Sequence, residues 1–356
     1  MGKVNVLVVS KVDLHQGYLE NIAAVDPRIS VKDGAGQFVA ELRRKGRKGP
    51  WVDRLEKEVA LERNQQVPET QEALDTLLAQ AEVIFTTVLI PDDLLSRTPR
   101  LKWIHLGGTG IDSYLSAGIF ESKIMITNSR GALAIPIAEH VLGLMLMLAK
   151  NVVRLLGNKQ DRRWERFVTM ELRDRTVGII GLGAVGSEIA RLTKGIGMRV
   201  IATRRSATKR ESSVFDVDEL YPCSELSQML SESDFVVIAV PLTAETRRMI
   251  GETELRVMKS TAYLINIGRG HIVDQSALIK ALKQGGIAGA GLDVFETEPL
   301  PDDNELWELS NVILSSHMAA ATGRRSHRVV GMFCENLRRY LADEQLLNVI
   351  DRQKGY

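Results

Sequence analysis

In the second half of the chain, an arginine, a group of acids and a histidine follow successive apolar runs. Asn266-Ile267-Gly268-Arg269-Gly270 sets an arginine in a glycine turn. Leu292-Asp293-Val294-Phe295-Glu296-Thr297-Glu298-Pro299 sets acids after the next run. Ser315-Ser316-His317-Met318 sets a histidine after the last. Each alone has an ordinary reading: a solvated arginine, a loop acid, a structural histidine. Together, at the ends of strands in one sheet, they read as a catalytic group, because ligands of open α/β sheets bind at the carboxyl ends of the strands.

Upstream, Val177 to Ile180 is apolar, as a strand buried on both faces must be. It leads into Gly181-Leu182-Gly183-Ala184-Val185-Gly186, a G-x-G-x-x-G turn, and then a helix start at Ser187. Gly181 would allow the tight turn, Gly183 the approach of a pyrophosphate, and Gly186 close packing of helix on strand. The helix N-terminus, with Ala184 and Val185, would offer unpaired N–H groups to that anion. A second strand, Met198 to Thr203, ends where an acid would hold the ribose hydroxyls of NAD. Thr203-Arg204-Arg205-Ser206 stands there instead. Guanidinium groups hold a 2′-phosphate through charge-assisted bonds, so NADP(H) is the expected cofactor, with NAD(H) possible.

The elements that must place these residues are strands at 177–182, 199–204, 235–240, 262–267, 289–294 and 312–316, with helices between most of them. That alternation predicts a parallel, doubly wound sheet. Residues 1 to about 130 repeat the alternation, with strands expected at 4–10, 29–32, 82–87, 101–106 and 123–128. The fourth ends in Gly107-Gly108-Thr109-Gly110, whose backbone N–H groups could hold a carboxylate. Between them, 33–66 is expected as a helix, an exposed loop carrying the basic cluster 43–48, and a charged helix around 51–63. A single long apolar helix is expected over 136–156, and a last helix over 324–341.

With 356 residues the chain suggests about two domains. A net charge of +1, from 46 basic and 45 acidic residues, gives no field to attract nucleic acid or an anionic membrane. The two cysteines, Cys223 and Cys334, form neither a disulfide framework nor a metal cluster and fit a reducing cytosol. No signal peptide is read at Val4–Ser10, and no metal site is expected.

These motifs resemble the NAD(P)-dependent D-isomer-specific 2-hydroxyacid dehydrogenases, nearest in motif to the NADPH-using glyoxylate/hydroxypyruvate reductase branch. The likeness runs from about Leu101 to Leu341 and rests on G-L-G-A-V-G, V-P-L-T-x-E-T at 240–246, N-I-G-R-G, L-D-V-F-E-T-E-P and S-S-H-M. Arg204 stands where the family usually has Asp, Ser316 where Pro is common, and Asp174 where Gly is common. The resemblance implies a Rossmann domain (132–318) inserted into a discontinuous flavodoxin-like substrate domain (1–131 and 319–356). The substrate would lie in the cleft between them, and the long apolar helix would help build a homodimer. It implies that Arg269 clamps the substrate, that His317 is the general acid and base, and that Glu298 keeps His317 protonated. Asp293 would orient the nicotinamide carboxamide, and Val240, Pro241, Thr246, Ile267 and Gly268 would line the cofactor. Gly108, Thr109 and Gly110 would hold the substrate carboxylate. The competing reading is a dinucleotide-sensing binding protein, like the corepressor relatives of the family.

Overall fold

The computed structural model describes residues 2–10, 17–45, 70–88, 90–110, 114 and 118–352. It divides into two α/β units, Met1–Ala132 with Gly323–Tyr356, and Leu133–Thr322. The boundaries expected from sequence were 131/132 and 318/319.

The first unit runs β1 (Val4–Val9), α1 (Tyr18–Ala23), β2 (Ile29–Asp33), α2 (Ala35–Arg44), α3 (Gln71–Gln80), β3 (Val83–Thr86), α4 (Leu94–Arg97), β4 (Trp103–Leu106) and β5 (Met125–Asn128). Its sheet has the order β2-β1-β3-β4-β5, all parallel. That is a flavodoxin-like order, as expected. The strands are apolar because helices cover both faces. Leu7, Val9, Ile84, Ile104 and Ile126 pack with Phe38, Leu74 and Leu78 of the covering helices. The C-terminal helix, Arg325–Leu341, lays Val329, Phe333 and Leu337 into this unit. Phe333 stacks on Phe85 at 4.7 Å between centroids. The charged helix expected around 51–63 and residues 46–48 of the basic cluster lie outside the described residues, while positions 43 and 44, expected in a loop, end α2.

The second unit contains α5 (Ala134–Ala149), α6 (Val152–Gln160), β6 (Thr176–Ile180), α7 (Ala184–Gly195), β7 (Arg199–Thr203), β8 (Glu211–Val214), β9 (Val217–Tyr221), α8 (Leu226–Glu232), β10 (Phe235–Ile238), α9 (Glu252–Val257), β11 (Tyr263–Asn266), α10 (Gln275–Lys283), β12 (Gly289–Leu292) and β13 (Val312–Leu314). The order β13-β12-β11-β10-β6-β7-β9-β8 is parallel except at the β8–β9 edge. The direction of winding reverses between β6 and β10, which makes their carboxyl ends the ligand-binding edge.

Two expectations need correction. The apolar helix over 136–156 is two helices bent by 62°. Asn151 breaks it at φ 51°, a left-handed conformation that asparagine tolerates better than most residues. Among the described residues no single helix is long and apolar enough to cross a membrane. The β8–β9 hairpin was not foreseen, because its first strand, Glu-Ser-Ser-Val, is polar and exposed and carries no burial signal. Asp174 has φ 63°, which explains why glycine suits that position.

Candidate active site

The dinucleotide loop is built from backbone. Gly181 has φ +99°, and a Cβ there would lie 2.5 Å from Val240 Cγ1 and 2.9 Å from the Ala239 carbonyl oxygen. A Cβ on Gly186 would lie 2.0 Å from the Gly181 carbonyl oxygen, so strand and helix touch only because both positions are glycine. Gly183 caps α7, and a Cβ there would meet nothing within 4 Å. The first intrahelical bond of α7 runs from Ser187 N–H to Gly183 O at 2.8 Å. It leaves the N–H groups of Ala184, Val185 and Gly186 ahead of the ladder. Open space over an exposed helix N-terminus suits a pyrophosphate.

At the end of β7, Arg204, Arg205 and Ser206 are exposed. Nearby, Arg210 lies over the Tyr221 ring at 4.5 Å and pairs with Glu225, so it is committed to structure. In the loop after β10, Thr246 Oγ1 donates to Pro241 O at 2.7 Å and accepts from Thr243 N–H at 2.8 Å. Thr246 therefore shapes this loop. Ile267 is half-buried and Gly268 buried between Val240 and Ile272.

Arg269, Glu298 and His317 come from three neighbouring strand ends. The β11 turn is held by Asn266, whose Oδ1 accepts from Gly268 N–H and whose Nδ2 donates to Arg269 O, each at 3.0 Å. A Cβ on Gly270 would lie 1.9 Å from the Phe295 carbonyl carbon. Only glycine there lets the Arg269 turn pass the 293–298 turn. Glu298 Oε1 accepts from Phe295 N–H at 3.1 Å. Glu298 Oε2 lies 2.8 Å from His317 Nδ1. Burial opposes ionisation of Glu298. The hydrogen bonds from His317 and Phe295, and the charges of His317 and Arg269, outweigh it and hold the carboxyl below its usual range. An ionised acceptor puts a proton on Nδ1 of His317. The half-exposed ring has Nε2 unpartnered among the described residues.

His317 has φ 52°, a conformation that costs a non-glycine residue about 1–3 kcal/mol. Asp293, 1% exposed, holds it there. The Asp293 carbonyl oxygen accepts from His317 N–H at 2.8 Å. Its Oδ1 accepts from Met318 N–H at 2.8 Å and its Oδ2 from Ala319 N–H at 3.0 Å. Oδ1 also accepts from Ser315 Oγ at 2.7 Å, and Ser315 Oγ lies 3.0 Å from His140 Nε2 on α5. This side chain, expected only to orient a cofactor, is already the anchor of the His317 turn. His140 and Ser315 were missed. His140 sits in an apolar helix, where a histidine looks like a packing residue.

In the first unit, β4 ends in a turn whose Thr109 carbonyl is tied to Asn128 Nδ2 at 2.9 Å. The N–H groups of Thr109 and Gly110 have no partner among the described residues. The Gly108 carbonyl oxygen accepts from Ser129 N–H at 3.4 Å. His105, on the same strand, is fully buried with both ring nitrogens bonded to hydroxyls. Among the described residues, no group of His, Cys, Asp or Glu could hold a metal ion.

A family model for the D-isomer specific 2-hydroxyacid dehydrogenase NAD binding domain matches residues 142–319. The chain is 38% identical over 296 residues to a glyoxylate reductase of Pyrococcus furiosus, covering 79% of this chain and 83% of that one. It is 37% identical over 297 residues to a glyoxylate reductase of Aeropyrum pernix, covering 80% and 88%. A D-isomer specific 2-hydroxyacid dehydrogenase from Xanthobacter autotrophicus Py2, solved with NADPH and MES, matches with a TM-score of 0.77 at 26% identity over 100% of both chains.

Proposed function

Because the chain belongs to the D-isomer specific 2-hydroxyacid dehydrogenase family, and is thereby a nicotinamide-dependent oxidoreductase, we propose that it reduces a small 2-oxo acid with NADPH as the preferred cofactor. The observation that carries this reading is the 2.8 Å pair of His317 Nδ1 with Glu298 Oε2 on the sheet edge that also carries Arg269. The bound dinucleotide supplies the hydride to the carbonyl carbon. The protein's own residues do the rest. Arg269, planar and always charged, binds the substrate carboxylate and polarises its carbonyl. His317 gives the Nε2 proton to the carbonyl oxygen as charge develops there, and takes it back in the reverse direction. Glu298 keeps Nδ1–H in place and offsets the charge of the imidazolium. In the first unit, the Thr109 and Gly110 N–H groups, with Gly108, are proposed to bind a carboxylate. Asp293 Oδ2 keeps one lone-pair site for the nicotinamide carboxamide. The glyoxylate reductase relatives make glyoxylate the first substrate to try. Loss of NADPH absorbance on adding it tests the reaction.

The cofactor preference rests on Arg204, exposed where NAD enzymes carry an acid. Arg204→Asp is expected to lower the NADPH-to-NADH ratio of kcat/KM by at least about tenfold. An unchanged ratio contradicts the assignment.

The protein is proposed to act as a homodimer. Leu155, Leu156, Trp164 and Val168 are 47%, 57%, 98% and 97% exposed, and burying such large apolar side chains against a second copy would favour association. Light scattering should give twice the chain mass; a monomer's mass overturns it. The free cysteines, Cys223 exposed and Cys334 buried, suit the reducing cytoplasm, which cell fractionation tests.

A further inference from the structure

Ser315 Oγ has a single proton, and it goes to Asp293 Oδ1 at 2.7 Å. The hydroxyl must then accept from His140, so His140 Nε2 carries a hydrogen and donates across 3.0 Å. The chain of donors reads His140 Nε2–H to Ser315 Oγ–H to Asp293 Oδ1. With Met318 N–H also on Oδ1, both lone-pair sites of that oxygen are filled, and the carboxylate is fixed in rotation. Fixed in this way, it clamps Met318 and Ala319, the two residues after His317.

We propose that His140 and Ser315 are positioning residues for the reaction, holding Asp293 so that it keeps the His317 turn in its left-handed conformation. His140 stands on α5, far from His317 in the chain, and its ring is largely buried. It acts through Ser315 and Asp293 and touches no reacting atom. A hydrogen-bonded network inside a low-dielectric unit both strengthens its members and selects one arrangement. Without it, Asp293 can turn, and the strained His317 backbone can relax toward an ordinary conformation. The Nε2 atom then leaves the place from which it delivers its proton, an error to which proton transfer is sensitive. The proposal rests on the reading of His317 as general acid.

The test uses His140→Leu, His140→Gln, Ser315→Ala, the Leu/Ala double variant and His317→Ala in the full chain. NADPH affinity and melting temperature are measured beside kcat and KM. Glutamine retains a donor N–H near the position of Nε2, whereas leucine does not. His140→Leu and Ser315→Ala are each expected to lower kcat about tenfold, with smaller changes in KM and NADPH affinity. The double variant should be no worse than about either single one, since both break the same chain. His140→Gln should recover most of the loss. The inference is overturned if folded His140→Leu and Ser315→Ala keep kcat within about twofold of wild type, or if their losses multiply in the double variant. It is also overturned if His140→Gln is as slow as His140→Leu while equally well folded. If His140→Leu does not fold, Ser315→Ala alone decides, because losing a hydroxyl leaves the packing of α5 intact. Normal turnover in His317→Ala would instead overturn the general-acid reading itself.

Discussion

Two histidines, one in each unit, follow the same local rule and end with opposite chemistry. His105 lies within β4, fully buried, against the rings of Phe85, Trp103 and Phe333. Its Nδ1 meets Thr127 Oγ1 at 2.8 Å and its Nε2 meets Ser129 Oγ at 3.0 Å. With no charge beside it, burial drives its pKa down to about 3. A neutral ring with both nitrogens satisfied has nothing to offer a substrate. His317 lies beyond β13, half exposed, with one nitrogen on a carboxylate and the other without a partner among the described residues. Neighbours decide the role: hydroxyls and aromatic rings make a core strut, while a carboxylate on one nitrogen and exposure of the ring suit the proton donor proposed for His317.

The contrast can be broken at several points. The largest effect is expected from His317→Ala, a loss of at least about a hundredfold in kcat while fluorescence titration shows NADPH still bound. Glu298→Gln retains the shape but removes the charge opposite Nδ1; a loss of about tenfold or more in kcat is expected, with KM for the substrate changing less. A kcat equal to that of wild type would remove Glu298 from the account. His105→Gln should keep kcat at neutral pH within about threefold, since ordinary surface or core changes away from a site act on stability first.

The remaining effect of His105 is on stability in acid. Its folded pKa is depressed, so protons bind the unfolded chain more readily. The stability it contributes is complete above about pH 6.5 and is lost as pH falls from there toward about 3. The slope is at most about 1.4 kcal/mol per pH unit. Denaturant titrations between these limits should show a shallower acid loss in His105→Gln than in wild type. Equal slopes would mean that another group carries the acid sensitivity.

How much of this was legible in the sequence follows the same division. Strands buried on both faces announce themselves as apolar runs, so every parallel strand of both sheets except β9, which pairs with β7, was located within a few residues. Glycines with steric duties at Gly181 and Gly186 were readable because the motif demands them. Arg269, Glu298 and His317 were legible as candidates because each follows such a run, though their roles came from the resemblance. The β8–β9 hairpin and the break at Asn151 were not legible. In the hairpin, β8 is polar and exposed and the apolar residues of β9 are interrupted by Asp218 and Glu219, while the break rests on a single backbone torsion inside an apolar stretch. His140, Ser315 and Asn266 were missed as positioning residues for a different reason. Their partners lie across the fold or in backbone groups, and composition carries no trace of those contacts.

The most direct test of the central claim follows NADPH and NADH absorbance with wild-type protein and a panel of glyoxylate, hydroxypyruvate, pyruvate and phenylpyruvate. The account predicts oxidation with at least one of these acids, faster with NADPH than with NADH. Binding of either dinucleotide without oxidation by any acid of the panel would contradict it.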